Sequence, residues 1–220
     1  MPRLNIRKLI RVRLESVITP LTVGFDLDMT LIDSRPGVHA AFTALSAETG
    51  VYIDADAVVE RLGPPLDEEL ANWFPADAID AMGDRFRKLY PEYAIKPVPA
   101  LPGAAESFAA IRAVGGRVMV VTAKFAPNAR LHLDHLGLEA DVLVGWHWGP
   151  KKGEALREHG ASVYVGDHIA DIHGARAADA VAVSVATGPV SEADLAAAGA
   201  DVVLADLRGF PAWLTGYLAA

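Results

Sequence analysis

Asp26, Asp28 and Thr30 follow the short apolar run Val23-Gly24-Phe25 at intervals of two residues. At the end of an extended strand, residues two apart point to the same side, so these three converge at the strand's mouth. Two carboxylates held that close repel one another unless a cation or a shared proton offsets their charge. A hard divalent cation with oxygen ligands, such as Mg2+, is the simplest offset. Beside such a metal, one aspartate can serve as a nucleophile and the other as an acid and base.

The elements that must position these residues are also visible in the sequence. Val118-Met119-Val120-Val121, Val142-Leu143-Val144, Val163-Tyr164-Val165 and Val181-Ala182-Val183-Ser184-Val185 are short, continuously apolar runs. They predict strands buried on both faces, hence a parallel sheet. Helical patterns separate them: Ala104 to Val114 stops at Gly115-Gly116, Asn128 to Leu136 at Gly137, and Gly153 to His159 at Gly160. Glycine just past a helix is the expected stop. Alternating strands and helices of these lengths predict an α/β fold, a doubly wound, Rossmann-like parallel sheet. In that architecture ligands sit at the carboxyl ends of the strands. Asp26, Thr122 and Asp167 fall at such ends.

Residues 35–100 carry no comparable strand pattern. They are rich in alanine, leucine, aspartate and glutamate, with breaks at Gly50, Gly63-Pro64-Pro65, Pro75 and Pro91. Several short helices are expected there, as an inserted all-helical cap placed to act as a lid. The expected organisation is therefore a basic extension at 1–20, an α/β core from 21–34 and 101–220, and a cap at 35–100. The stretch Pro97 to Gly103 reads as the hinge back to the core. The basic N-terminal segment, with Arg3, Arg7, Lys8, Arg11 and Arg13, is too charged for a secretory core and reads as a loosely docked extension.

Composition narrows the function classes. The chain has 220 residues and a formal net charge of −8, which argues against a nucleic-acid polymer as partner. No apolar run is long enough to span a membrane. There are no cysteines, which removes disulfides, thiolate metal sites and cysteine nucleophiles. That fits a cytoplasmic location.

Three further elements follow Asp26-Leu27-Asp28-Met29-Thr30 in order: Val120-Val121-Thr122, Lys151-Lys152 before a helix, and Val165-Gly166-Asp167-His168-Ile169-Ala170-Asp171. This ordered set resembles the haloacid dehalogenase-like hydrolase superfamily, most closely its phosphatase branch with a helical cap, such as the phosphoglycolate phosphatases. The resemblance runs from residue 22 to about 215. Leu101-Pro102-Gly103, Thr122-Ala123-Lys124, Gly63-Pro64-Pro65-Leu66 and Asp201-Val202-Val203-Leu204 resemble secondary features of that branch. Two positions depart from it: Met29 stands where glycine is usual and narrows the room beside the nucleophile, and Ala123 stands where asparagine is usual.

The resemblance implies roles. Asp26 would attack phosphorus and form an aspartyl-phosphate. Asp28 would protonate the leaving oxygen and then activate water. Mg2+ would be held by Asp26, the Asp28 backbone carbonyl and Asp167, with Asp171 behind them. Thr122 would bind a phosphoryl oxygen, with Thr30, Ala123 and Lys124 lining the substrate site. A lysine would neutralise charge between Asp26 and the phosphate; Lys152 leads its helix in the expected register, and Lys151 is the alternative. The dehalogenases of the superfamily lack an acid where Asp28 stands, so phosphoryl transfer is favoured over carbon–halogen cleavage.

The expected substrate is a small phosphorylated metabolite, with phosphoglycolate first and nucleotides or sugar phosphates behind it. A phosphomutase or nucleotidase on the same scaffold, and a non-catalytic phosphate-binding protein, are the alternatives. Arg61, Leu66, Arg85 and Lys88 are the cap's candidate substrate contacts. Trp146-His147-Trp148 either packs, meets a partner or lines the pocket. His132 and His135 read as residues of a surface helix, while Leu131 and Leu138 read as core.

Overall fold

The computed structural model describes residues 20–220, and the basic segment read at the N-terminus lies outside them apart from Pro20. Among the described residues, six strands form one sheet: β1 (Thr22–Phe25), β2 (Arg117–Val121), β3 (Val142–Val144), β4 (Val163–Gly166), β5 (Val181–Val185) and β6 (Val202–Leu204). Their order is β3-β2-β1-β4-β5-β6, and every pairing is parallel. The chain leaves β1 toward β2 on one side and reaches β4 on the other, so the order reverses at β1. Ligand crevices form outside the carboxyl ends of strands at such a reversal.

The valine-rich strands are apolar on both faces because both faces are covered. Helices α5 (Ala104–Ala113), α6 (Ala126–Leu136) and α10 (Phe210–Ala219) accompany one set of buried strand residues. Phe108, Ile111, Leu133, Phe210 and Leu214 pack there with Val23, Phe25, Val120 and Val165. Helices α7 (Lys152–Glu158), α8 (Ile169–Ala177) and α9 (Glu192–Ala197) accompany the other set. Leu156, Ile172, Ala175 and Leu195 pack with Met119, Val121, Tyr164 and Ala182. The period-2 alternation of a strand divides its residues between two cores in this way.

Between β1 and α5 come α1 (Arg35–Thr49), α2 (Ala55–Glu60), α3 (Leu66–Leu70) and α4 (Ile79–Tyr93). They enclose a separate apolar cluster that includes Val38, Phe42, Leu45, Val58, Leu70, Phe86 and Tyr90. Two of these helices are long, against the expectation of several short ones. Gly50 does end α1, in the left-handed conformation at φ 71°. Pro91, expected as a break, lies inside α4. It stands in the helix's last turn, so its missing N–H interrupts the ladder only near its end. Entry to and exit from this insert run side by side: Asp33 N donates to Pro99 O at 3.0 Å, and Leu101 N to Leu31 O at 2.9 Å.

Helix α6 begins at Ala126, two residues before the expected start, with proline in its first turn. Its register turns His132 and Leu133 inward and leaves Leu131 38% exposed, so Leu131 is not core and His132 is not a surface residue. Leu138 is buried as expected. Among the described residues, no helix is long and apolar enough to cross a membrane.

Candidate active site

Asp26 leaves β1 directly, with its N–H donating to Val165 O at 2.8 Å. The backbone then turns tightly, as the N–H groups of Leu31 and Ile32 both donate to Leu27 O. This turn puts Met29 in the left-handed region at φ 59°. Glycine adopts that conformation freely, whereas a residue with a Cβ does so at a cost of about 1–2 kcal/mol. Met29 is held there from both sides: its N–H donates to Ile32 O at 2.8 Å, and Thr187 Oγ1 donates to its carbonyl at 2.6 Å. Its side chain is buried and lines the recess beside Asp26.

Four elements bring charge to this point. β1 supplies Asp26, the end of β4 supplies Asp167, α8 supplies Asp171, and the first residue of α7 supplies Lys152. Carboxylate oxygens of Asp26, Asp167 and Asp171 lie within 4.8 Å of one another, and all three residues are buried. Lys152 is fully buried, and its Nζ donates to Asp26 Oδ1 at 2.8 Å and to Asp171 Oδ1 at 2.6 Å. Lys151 is exposed. Thr30 Oγ1 donates to Asp167 Oδ1 at 2.9 Å.

Asp171 also closes the N-terminus of α8, where its Oδ2 accepts from His168 N at 3.1 Å. Two glycines make room for the acids. A Cβ on Gly166 would stand 2.3 Å from the Asp171 carboxyl carbon, and one on Gly188 would stand 1.8 Å from Asp167 Oδ2.

Three buried carboxylates face one ammonium. Burial raises Asp26 to about 7, with Asp171 and Asp28 adding to the rise and Lys152 opposing it. Burial pushes Asp167 well above the usual carboxylate range, assisted by Asp171 and Asp26. Burial alone would lower Lys152, but Asp171 and Asp26 raise it well above its usual value and keep it charged. The surplus of negative charge and an all-oxygen donor set suit a hard divalent cation. Asp26 and Asp167 are the members of the expected ligand set whose carboxylates meet here, so the residues present fit Mg2+.

Asp28 turns the other way. Its Oδ1 lies 3.0 Å from Lys124 Nζ. Lys124 also donates to Tyr90 OH at 2.8 Å, and Tyr90 OH pairs with His132 Nε2 at 3.0 Å. Burial pushes Asp28 up, but Lys124 outweighs it and holds the carboxyl below its usual range. Lys124 is thus tied to the acid and to the insert. Tyr90 and His132 were not expected at the site. Tyr90 arrives from α4, far away in sequence; His132 carries a local signal, because it stands three residues after the buried Ala129 on α6.

Thr122 is buried at the end of β2, and its Oγ1 accepts from Lys124 N at 3.1 Å. It does not cap α6, whose N-cap is Phe125 without a side-chain bond. A recess of about 20 Å³ lies between Asp26, Asp28, Thr122, Ala123 and Asp167. It adjoins a chamber of about 170 Å³ under the insert, and Asp28, Gly63, Ala123 and Trp148 border both. Arg61, Leu66, Lys124 and both tryptophans of Trp146-His147-Trp148 line that chamber. Arg85 instead pairs with Glu48, and Lys88 is not among the lining residues. Arg87, which was not anticipated, is: its guanidinium lies 4.4 Å from the Trp146 ring centre.

These parts define a class. The haloacid dehalogenase-like hydrolase family model matches residues 23–176, and a related one matches residues 152–210. The chain belongs to the haloacid dehalogenase-like hydrolase family. It is 30% identical over 220 aligned positions to a phosphoglycolate phosphatase of Rhodospirillum rubrum, covering 89% of this chain and 91% of that protein. It is 28% identical to the tyrosine-protein kinase PtkA of Mycobacterium tuberculosis, covering 72% of this chain and 60% of that protein. The chain thus spans three fifths of that relative's length. A structure of a predicted phosphatase from Clostridium acetobutylicum superposes with a TM-score of 0.77 at 20% identity, covering 90% of this chain and 99% of that one. That likeness concerns the fold alone.

Proposed function

We propose that this chain is a Mg2+-dependent phosphatase that hydrolyses a small phosphomonoester through an aspartyl-phosphate. The observation that carries the proposal is the fully buried Lys152, which bridges Asp26 and Asp171 beside Asp167. A structural ion pair needs one acid; here the ammonium sits among three, at the carboxyl ends of the strands, next to an open recess.

In this mechanism Lys152 holds Asp26 Oδ1, which leaves Oδ2 to attack phosphorus. An Asp26–phosphorus bond forms as the bond from phosphorus to the ester oxygen breaks. Asp28, ionised beside Lys124 at rest, first takes a proton from solvent and then gives it to the departing oxygen. It then takes a proton from water, whose oxygen bonds to phosphorus and releases Asp26 and inorganic phosphate. Thr122 donates to a phosphoryl oxygen, and Lys152 offsets the repulsion between an anionic nucleophile and an anionic ester. Mg2+, held by Asp26, Asp167 and the Asp28 carbonyl with Asp171 oriented behind them, would supply charge neutralisation at the phosphoryl oxygens. Residues 35–100 act as the cap, and the absence of cysteine suits a cytoplasmic enzyme.

Phosphoglycolate is the reference substrate, because two of the relatives are phosphoglycolate phosphatases. A second reading has Asp26 pass the phosphoryl group to an acceptor other than water, as in a mutase. The relative known as a tyrosine-protein kinase favours testing it. The test is phosphate release from a panel of esters, with and without Mg2+, for wild type and Asp26→Asn. Metal-dependent release that disappears in Asp26→Asn supports the proposal. Loss of ester without released phosphate selects the transfer reading, and equal release from both proteins removes Asp26 as nucleophile.

A further inference from the structure

The chamber beside Asp28 has a size and a lining that bear on the substrate. At about 170 Å³ it is several times the volume of the recess at Asp26. A cavity of about 150 Å³ lined by aliphatic and aromatic side chains is enough to hold a benzene ring. Phe42, Leu66, Phe86, Tyr90, Trp146 and Trp148 contribute to its wall. A two-carbon leaving group reaching in from Asp26 would leave most of this volume empty.

The polar members of the wall are already engaged. Arg61 makes a two-point contact with Glu69, its Nη2 at 2.7 Å and its Nε at 3.2 Å. Arg87 pairs with Asp84 at 3.1 Å and Asp67 at 3.4 Å, with Trp146 under its guanidinium. Lys124 lies 3.0 Å from Asp28 and donates to Tyr90 at 2.8 Å. Each lining cation therefore faces a carboxylate, and Asp28, Asp67 and Glu69 themselves border the space. A carboxylate on the leaving group, such as that of phosphoglycolate, would enter with no free cation to receive it and would lose hydration for nothing in return. A neutral ring would replace water on the apolar wall and meet aromatic faces.

From this juxtaposition we infer that the substrate is a phosphomonoester whose leaving group carries an uncharged aromatic ring, seated in the chamber while the phosphoryl group occupies the recess at Asp26. The inference rests on the phosphatase reading for its chemistry, and the cap residues Phe42, Leu66 and Phe86 are the specificity determinants it names.

The experiment compares benzyl phosphate, ethyl phosphate and phosphoglycolate in the presence of Mg2+. All three release an alkyl oxygen, so the ring and the carboxylate are the main variables. The expected result is a kcat/KM for benzyl phosphate at least about 100-fold above both others, since each buried carbon adds several-fold. In Leu66→Trp, which fills the chamber, that ratio falls at least tenfold. A parallel titration calorimetry series measures benzylphosphonate and phosphonoacetate on the wild-type protein, where no turnover is needed. Preference for phosphoglycolate, with activity still lost in Asp26→Asn, overturns the inference and leaves the phosphatase. If no ester is hydrolysed but benzylphosphonate binds at least tenfold tighter than phosphonoacetate, the catalytic reading fails and the chamber assignment stands. Equal binding of the two, without turnover, overturns both.

Discussion

His132 makes a prediction with a worked size. Its ring is fully buried, Nε2 pairs with Tyr90 OH, and Nδ1 has no hydrogen-bond partner among the described residues. Protonation would place a charge inside the protein next to the cationic Lys124 and turn both ring nitrogens into donors. Burial, then Lys124, push the imidazole down to about 3 from an ordinary 6.5. The unfolded chain therefore takes up a proton near pH 6.5 that the folded protein refuses. Stability from this group is intact above 6.5 and is lost as pH falls from 6.5 toward about 3. Each unit in that window is worth about 1.4 kcal/mol, so the step from pH 7 to pH 5 removes about 2 kcal/mol. His132→Gln keeps a polar partner for Tyr90 and does not titrate. Urea unfolding of both proteins at pH 7, 6 and 5 measures the effect, because shifts at other groups largely cancel in the difference. The advantage of wild type over the variant should shrink by about 2 kcal/mol across that range. Parallel pH profiles for the two proteins would falsify the argument.

Other perturbations follow from the same geometry. Lys152→Met strands three buried carboxylates, so metal-free protein should lose about 3–5 kcal/mol in urea unfolding, with part recovered on adding Mg2+; unchanged stability would mean that the lysine does not hold the cluster. Gly188→Ala pushes a methyl into Asp167 Oδ2 and should raise the Mg2+ concentration for half-maximal activity about 10–100-fold, while circular dichroism stays that of wild type. Met29→Gly and Met29→Ala both lose the buried side chain, but only glycine relieves the left-handed backbone. Thermal melts should therefore find the glycine variant more stable by about 1 kcal/mol, and the reverse order would show that the turn is unstrained.

The sheet was legible because most of its strands are valine-rich runs bounded by turn residues, and a strand covered on both faces leaves that mark in a single sequence. Asp26, Thr122 and Asp167 could be placed because strand ends dictate where such side chains go. Asp28 was expected to point with Asp26 along an extended strand and instead turns away to Lys124, because β1 ends at Phe25 and the chain folds into a turn. Lys152, preferred over Lys151 by register, is the buried one of the pair and Lys151 the exposed one. The insert was harder to read. Its helices are amphipathic toward one another, so the pattern gave helix without giving orientation. Tyr90 therefore passed unnoticed, as did Arg87, while Arg85 and Lys88 were named in its place. His132 was misread for a different reason. Histidine is treated as polar by habit, yet on α6 it shares the inward face with Ala129 and Leu133.

The paired hydrogen bonds of Asp33 with Pro99 and of Leu31 with Leu101 have a consequence for the chain as a polymer. They fix the two ends of the insert as neighbours, so the core experiences residues 35–98 as a closed loop. The entropy of closing a loop grows only with the logarithm of its length: each doubling costs about 0.6 kcal/mol. Helices can lengthen, shorten or be exchanged between those two clamps with little charge to the sheet beneath. Asp26 and its partners lie on the sheet side of the clamp, and Phe42, Phe86 and Tyr90 on the other. The insert is thus a replaceable cassette on a fixed platform, except at Tyr90, whose hydroxyl joins Lys124 and through it Asp28.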